Sequence, residues 1–313
     1  MHGINEIKKN KVNLYPLVLV IATLLWGSTF SYTKEIVKSV TPATLITLRF
    51  SVTALIMFFI FFKTNIDTIK NLDRVFLIKF LLLGILNYVS IILQTIGLTE
   101  ISASNSGFLT SLAALFVPFF EFFIRKKRID TNIKIGVSVA LIGVYILSFG
   151  LSLPDKFVVG DLLTIICALF FGYQIVLIDD LTKKYHPGSI MFYCFLLTAI
   201  ASFPFTLIQD SSGFLNIFTL DFIKFAIEST ILYHFLALVI LGTIVAYVFM
   251  ALGQKKIDVN KAAIIYLLEP VFASLIAIIF FSEQIYARVI IGGLIIIVAQ
   301  FIGIGLFSPK KVR

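Results

Sequence analysis

Ten long apolar runs restrict the fold of this chain more than any other feature of its sequence. They cover residues 14–33, 43–62, 76–98, 103–124, 133–151, 162–178, 190–208, 231–253, 262–281 and 289–307, and we number them as spans one to ten. Each is close to the roughly 20 residues that a helix needs to cross a bilayer. Charged residues make up only 14% of the chain, against about 25% in an ordinary soluble domain. The sequence predicts an all-α polytopic membrane protein with ten transmembrane helices and excludes a water-soluble globular fold.

The basic residues predict the orientation of these spans. If the N-terminus is cytoplasmic and the spans alternate, twenty of the 26 Lys and Arg residues fall on the inner side, five fall on the outer side and Arg49 lies within span two. Such a bias is the positive-inside rule. The net charge of +9 is therefore a feature of topology and does not indicate a nucleic-acid partner. We expect a multi-pass protein of the cell (plasma or inner) membrane, surrounded by the lipid bilayer, with both termini cytoplasmic.

The chain also contains an internal repeat. A shift of 156 residues places the stretch 92–108 on 248–264, so that Gly97 meets Gly253 and Gly136 meets Gly292. The two repeats cover residues 14–151 and 160–307, with five spans in each. Because five is odd, the second repeat enters the membrane from the opposite side. The sequence predicts two inverted five-helix repeats related by a pseudo-two-fold axis in the membrane plane, an architecture common in alternating-access transporters.

Short motifs in four spans resemble those of one transporter family. They are WGSTF at 26–30, Pro42 followed by LRF at 48–50, SGFLT at 106–110 with FVP at 116–118, and LEPVF at 268–272 leading to Ser282 and Glu283. In this order and placement the set resembles the EamA-type branch of the drug/metabolite transporter superfamily. The resemblance implies a ten-helix carrier whose central cavity is lined by spans one, three, four, six, eight and nine. It also implies transport of small metabolites, in many members the export of amino acids.

Ionisable residues within a span are costly and are therefore candidates for function. Glu269, beside Pro270 in span nine, is a candidate site for a substrate amine or a proton; the alternative is a carboxylate hydrogen-bonded to a neighbouring helix. For Arg49 we favour a structural role, in which it snorkels or binds backbone carbonyls. Together with polar and aromatic residues on the expected cavity spans, the predicted substrate-binding residues are Trp26, Thr29, Asn87, Gln94, Thr110, Tyr173, Gln174, Tyr247, Tyr266 and Glu269.

Signals for other function classes are weak. Cys167 and Cys194 lie inside apolar runs, and the three histidines are far apart, so we expect no metal site, no cofactor and no catalytic residue. The pair Asp179–Asp180 lacks the third acid of a DDxxD pattern because Lys183 occupies that place. These features disfavour a membrane-embedded transferase, and no ring-forming charge pattern supports a passive channel.

Together these features predict a secondary active transporter that moves a small polar or zwitterionic metabolite, an amino acid or a related compound, by alternating access. No Walker loop is present to couple transport to ATP. We expect export, and the alternative is an importer of a vitamin-like or other amphipathic metabolite.

Two further expectations concern packing. Glycines cluster in spans five and ten, which predicts close helix packing or a homodimer through these spans. In the connection 209–230, Phe214, Phe218, Phe222 and Phe225 recur at helical spacing. This connection is either a short helix in the outer interface or a plain loop.

Overall fold

A computed structural model describes residues 14–71, 73–151, 158–281 and 286–303, and these ranges contain helices and turns but no strand. The helices are α1 (Tyr15–Ile36), α2 (Pro42–Ile60), α3 (Phe62–Lys70), α4 (Arg74–Glu100), α5 (Ala103–Ser111), α6 (Ala113–Arg125), α7 (Thr131–Phe149), α8 (Val159–Thr182), α9 (Pro187–Asn216), α10 (Leu220–Glu228), α11 (Ile231–Val239), a π-helical segment (Ile240–Val245), α12 (Ala246–Gln254), α13 (Val259–Tyr266), α14 (Glu269–Phe281) and α15 (Ala287–Gly303). Ser282, Glu283 and the basic residues of both chain ends lie outside the described ranges.

Local sequence signals set where many of these helices begin. Thr41, at the N-cap of α2, accepts a hydrogen bond from the Thr44 N–H, and Pro42 follows at the first helical position. Asp73 caps α4 in the same way by accepting from the Phe76 N–H. Such residues satisfy backbone N–H groups that have no partner within the helix.

The membrane class of the fold is confirmed by helix length and composition. Within the described residues, eight stretches are long and apolar enough to cross a membrane: α1, α2, α4, α8, α9, and the combined stretches Ala103–Arg125, Ile231–Gln254 and Val259–Phe280. The helices of spans five and ten, α7 and α15, contain shorter apolar stretches, Thr131–Leu147 and Ile290–Gly303. The count of ten membrane crossings therefore stays a prediction.

Helix contacts keep the same pattern when the two halves are exchanged. In one direction α1, from span one, packs against α12 and α14 of spans eight and nine. In the other, α8 of span six packs against α4 and α6 of spans three and four. Two further pairs, α2 with α9 and α7 with α15, each join corresponding spans of the two halves. The contacts are those that a two-fold relation between the halves produces.

Spans four and nine are each broken into two helices at matching places. Span four breaks at Leu112, between α5 and α6, and span nine breaks at Leu267 and Leu268, between α13 and α14. Pro270 explains the second break, because it has no N–H to bond the carbonyl of Tyr266 and fits best in the first turn of a helix. Non-helical backbone in a membrane is tolerated where protein or a cavity surrounds it.

The connection after α9 contains the short helix that was one of its two predicted forms. α10 covers Leu220–Glu228, and Thr219 caps it by accepting a hydrogen bond from the Phe222 N–H. Phe222 packs beside the buried cluster that includes Ile36 and Leu45, whereas Phe225 is exposed. The alternative of a plain loop is wrong for these residues.

The predicted close packing of spans five and ten occurs within the chain, between α7 and α15. A Cβ atom added to Gly292 would lie 2.5 Å from both the Gly143 carbonyl oxygen and the Leu147 backbone nitrogen. Glycine at this position lets the two backbones approach each other directly. The homodimer through these helices stays a prediction.

We expect Gly292→Ala to destabilise the protein by about 1–3 kcal/mol, because the new methyl group meets backbone atoms that cannot move aside. Gly293→Ala is the matched control, since its Cβ would lie 3.7 Å from Val271 Cγ1, an ordinary contact. The measurement is the apparent unfolding temperature in detergent. A fall of the same size in both variants would show that the close approach of α7 and α15 is not needed.

Candidate functional site

A central cavity lies where the two halves meet. The space in this cavity that the centre of a water molecule can occupy has a volume of about 60 Å³. It is enough for several water molecules. Its walls come from α1, α2, α4, α5, α6, α8, α12, α13 and α14. These helices belong to the six spans named from the family resemblance, with span two added through Arg49.

The structure brings eight of the ten predicted substrate-binding residues to this cavity: Trp26, Thr29, Gln94, Thr110, Gln174, Tyr247, Tyr266 and Glu269. Asn87 and Tyr173 are not part of its wall. Asn87 is fully buried and donates to Thr198 Oγ1 at 3.0 Å. The Tyr173 ring packs against Phe120 with centroids 5.1 Å apart.

Three aromatic side chains form one wall of the cavity. The Trp26 ring meets the rings of Tyr247 and Tyr266 edge-on, with centroids 5.1 and 5.6 Å apart. Within the described chain, neither Trp26 Nε1 nor Tyr266 Oη has a hydrogen-bond partner. Buried indole and phenol groups usually have one. This wall therefore combines apolar ring surface with two polar groups that the protein itself leaves unpaired.

Glu269 places a carboxyl group in the cavity at the break of span nine. It is the first residue of α14, where unpaired backbone N–H groups and the helix dipole favour a negative charge. Its side chain is enclosed, with 9% exposed. In the described residues no ion pair is formed by this carboxyl group.

Arg49 contributes a guanidinium group to the same cavity wall as Glu269. Its Nε donates to Thr243 Oγ1 at 2.8 Å, and its guanidinium carbon lies 5.2 Å from the centre of the Phe50 ring. Only 5% of the residue is exposed, so it does not snorkel to an interface. Our interpretation of Arg49 as a snorkelling or carbonyl-binding residue missed its place at the cavity, and the LRF motif of span two was the signal that pointed there.

Amide side chains connect the cavity wall to the surrounding helices. Gln94 Nε2 donates to Thr110 Oγ1 at 2.9 Å, which joins spans three and four beside the cavity. Gln174 Nε2 donates to Asn87 Oδ1, also at 2.9 Å. Asn87 is therefore a support for Gln174 in this structure, since buried polar groups in apolar surroundings need such partners.

An ion-pair network closes the bundle at the end that is predicted to face the cytoplasm. Arg125, at the end of α6, contacts the carboxylates of Glu121, Asp179 and Asp180, with 2.8 Å from Nη1 to Asp179 Oδ2. Its Nη2 also donates to the Val176 carbonyl at 2.9 Å. The contacts to α8 join the first half to the second, and Glu121 pairs with Arg125 one turn later on α6.

A second ion pair at this end joins the same two halves. Lys127 Nζ lies 2.6 Å from Asp258 Oδ2. Burial raises the pKa of Asp258, but the hydrogen bond and charge of Lys127, with the N–H groups of Asn260 and Lys261, outweigh it and hold this pKa below its ordinary value. Asp258 is therefore negatively charged at neutral pH and holds Lys127 against the start of α13.

The opposite end of the bundle has its own contacts between the halves. Asp210 accepts hydrogen bonds from Thr41 at 2.5 Å and from Thr44 at 2.7 Å. Asn105 Nδ2 donates to Asp161 Oδ1 at 3.0 Å. Residues in or next to connections that are predicted to share one side of the membrane thus meet at the same end of the bundle.

The comparisons with known proteins agree with this architecture. The model of the EamA-like transporter family matches twice, at residues 13–149 and 158–304. An uncharacterized transporter of Archaeoglobus fulgidus is 31% identical over 286 residues, which are 91% of this chain and 84% of that protein. The uncharacterized transporter YoaV of Bacillus subtilis is 24% identical over 301 residues, 95% of this chain and 98% of that protein.

A solved crystal structure has the same fold. It superimposes with a TM-score of 0.74 at 17% sequence identity and covers 96% of this chain and 98% of the other. At this identity the likeness concerns the fold alone. Since the family model matches both halves, and a relative above 30% identity aligns over nearly the whole chain, the protein belongs to the EamA-like transporter family of the drug/metabolite transporter superfamily and is a multi-pass membrane transporter.

Proposed function

We propose that this protein is a secondary active transporter that moves a small polar or zwitterionic metabolite, an amino acid or a related compound, by alternating access and in the outward direction. The observation that carries the proposal is the cavity between the two halves, with the carboxyl group of Glu269 at a broken helix and an aromatic wall beside it. Discontinuous helices at the interface of two repeats are typical of substrate sites in secondary transporters.

Contacts between the halves at both ends of the bundle support alternating access. The ion pairs of Arg125 and Lys127 close one end, and the hydrogen bonds of Asp210 and Asn105 close the other. The central cavity lies between these two sets of contacts. One set of contacts must open to admit a solute, and a carrier keeps the other set closed at that moment.

The distribution of charge supports the proposed orientation. The end closed by Arg125 and Lys127 also has a second, polar pocket of about 280 Å³ that includes Lys183, Lys255 and Lys256. Basic residues concentrate on the cytoplasmic side of membrane proteins. This pocket is therefore the proposed cytoplasmic entrance.

We expect purified protein in liposomes preloaded with amino acids to show saturable counterflow of at least one of them. Glu269→Gln should remove most of the flux, because the amide keeps the size of the side chain but can neither pair with a substrate amine as a carboxylate nor exchange a proton. Glu228→Gln, at the exposed end of α10, is the control and should retain the flux. Unchanged flux in Glu269→Gln excludes this residue from the mechanism, and a conductance that never saturates supports a channel.

Cysteine labelling tests the orientation. The native Cys167 and Cys194 are both buried, so we expect little labelling of them, and the labelling of an introduced cysteine can be measured. We expect Lys224→Cys on α10 to react with a membrane-impermeant maleimide on intact cells, and Lys70→Cys on α3 to react only after permeabilisation. Both positions are exposed. The opposite pattern would place the termini outside the cell.

Removing the negative charge of Asp258 should weaken the ion pair with Lys127 that closes the proposed cytoplasmic entrance. Asp258→Asn keeps a residue that caps α13 well but no longer attracts Lys127. We expect it to speed the labelling of Gln254→Cys by a maleimide added to the outside of inverted vesicles, where the cytoplasmic face meets the medium. Gln254 is 2% exposed and lies in the entrance pocket. Asp130→Asn, the corresponding change at the cap of α7, should leave the rate unchanged, and equal rates in all variants contradict an ionic closure at Asp258.

A further inference from the structure

Arg49 is the positive group of the central cavity, and the protein holds it by one edge only. The Nε atom donates to Thr243 Oγ1 at 2.8 Å. In the described chain neither Nη1 nor Nη2 has a hydrogen-bond acceptor or a carboxylate partner, although the residue is 5% exposed and lies in the cavity wall. The outer edge of the guanidinium group, with its paired N–H groups, is therefore left for something inside the cavity.

Thr243 is fixed in place by the irregular helix that carries it. Its hydroxyl donates to the Leu238 carbonyl, five residues earlier, at 2.7 Å. It belongs to the π-helical segment Ile240–Val245, and such segments are rare and often occur at functional sites. Since the single hydroxyl proton goes to Leu238, the oxygen can only accept from Arg49. The π-helical segment thus presents an acceptor that sets the rotation of the guanidinium plane.

The cavity itself supplies no anion for Arg49. Glu269 lies in the same wall, yet the two side chains do not form an ion pair with each other in the described residues. A buried guanidinium group without an anion is costly, and its two parallel N–H groups match the two oxygens of a carboxylate. A carboxylate group on the solute would supply the missing negative charge and accept hydrogen bonds from both terminal nitrogens of Arg49.

We propose that Arg49 is the carboxylate-binding residue of the central cavity and that Thr243 is its positioning residue. The substrate then carries a carboxylate group, bound by the two terminal nitrogens of Arg49. That this ligand is also transported rests on the proposed function; the binding of a carboxylate does not.

The chain has a built-in reporter for this binding. Trp26 is its single tryptophan and lines the same cavity as Arg49. Excitation at the red edge of absorption selects Trp26 over the eleven tyrosines. The probes are propionate and propionamide, which have the same shape and differ in charge. We expect propionate to change the Trp26 fluorescence of the purified protein saturably, and propionamide to have no such effect.

Variants separate binding from positioning. Arg49→Gln should weaken propionate binding by at least about tenfold, as expected for hydrogen bonds to a charged group. Arg49→Lys should restore binding only in part, because an ammonium group lacks the two parallel N–H donors of the guanidinium group. Thr243→Val, which removes the hydroxyl but keeps the shape, should weaken propionate binding, and Thr243→Ser should restore it. Arg74→Gln, at an exposed position, is the charge control and should bind as the native chain does.

Each outcome decides the proposal. Equal responses to propionate and propionamide, or full propionate binding by Arg49→Gln, overturn the carboxylate site. If Thr243→Ser behaves as Thr243→Val, the positioning role of Thr243 is wrong. If Arg49→Gln does not fold, the pair of Thr243 variants still tests the site.

The same experiments separate this inference from the proposed function. Carboxylate-selective fluorescence without saturable counterflow shows that the site is right and the transport proposal wrong. Saturable counterflow of amino-acid methyl esters, which lack the carboxylate, supports the transporter and overturns the site.

Discussion

The hydrocarbon interior of a membrane offers no partner to a charge or to an unpaired backbone group, and the centre of this protein is arranged around that constraint. Glu269 and Arg49, two residues of the cavity, each lie in or contact a segment whose backbone departs from a regular α-helix. Glu269 begins α14 at the break of span nine, and Arg49 is held by Thr243 in a π-helical segment. At such irregular segments, polar groups are available to cavity side chains, whereas the backbone groups inside a continuous helix are hydrogen-bonded within the helix.

The internal repeat explains why the helix breaks of spans four and nine lie beside the same cavity. The breaks of span four at Leu112 and span nine at Leu268 are separated by the same 156 residues that relate Gly97 to Gly253. Two helix breaks therefore face one cavity from opposite halves. The sites have diverged in chemistry, since Thr110 and Ala113 of the first half correspond to Tyr266 and Glu269 of the second. Symmetry sets the position of the cavity, and side chains that break the symmetry set what it can bind.

The glycine-rich helices α7 and α15 contribute differently. Neither belongs to the cavity wall. Their direct backbone contact at Gly143 and Gly292 joins the two halves at a distance from the site. The connections between halves at the ends of the bundle are ionic or hydrogen-bonded, and such contacts can exchange partners with water. The packing of α7 and α15 is instead a direct contact between the two backbones.

Residue by residue, the sequence predicted the cavity wall well where helical spacing and polarity agreed. Trp26, Thr29, Gln94 and Tyr266 line the cavity, in keeping with the tendency of a polar stripe in a membrane helix to turn away from lipid; their predicted role in substrate binding stays a prediction. Asn87 and Tyr173 show the limit of that argument. A polar face can turn toward a neighbouring helix as well as toward a cavity, and the choice depends on which helix lies beside it.

The amino-acid sequence by itself determined that the chain is helical and membrane-embedded and that its two halves repeat, and its basic residues favour one orientation. These properties follow from apolar run length, charge and local periodicity, which are recorded along the chain. Only the tertiary structure decided that Arg49 faces the cavity, that Asn87 supports Gln174, and that α7 and α15 pair with each other. Each of these depends on the rotation and neighbours of helices far apart in sequence, and packing between such helices sets them.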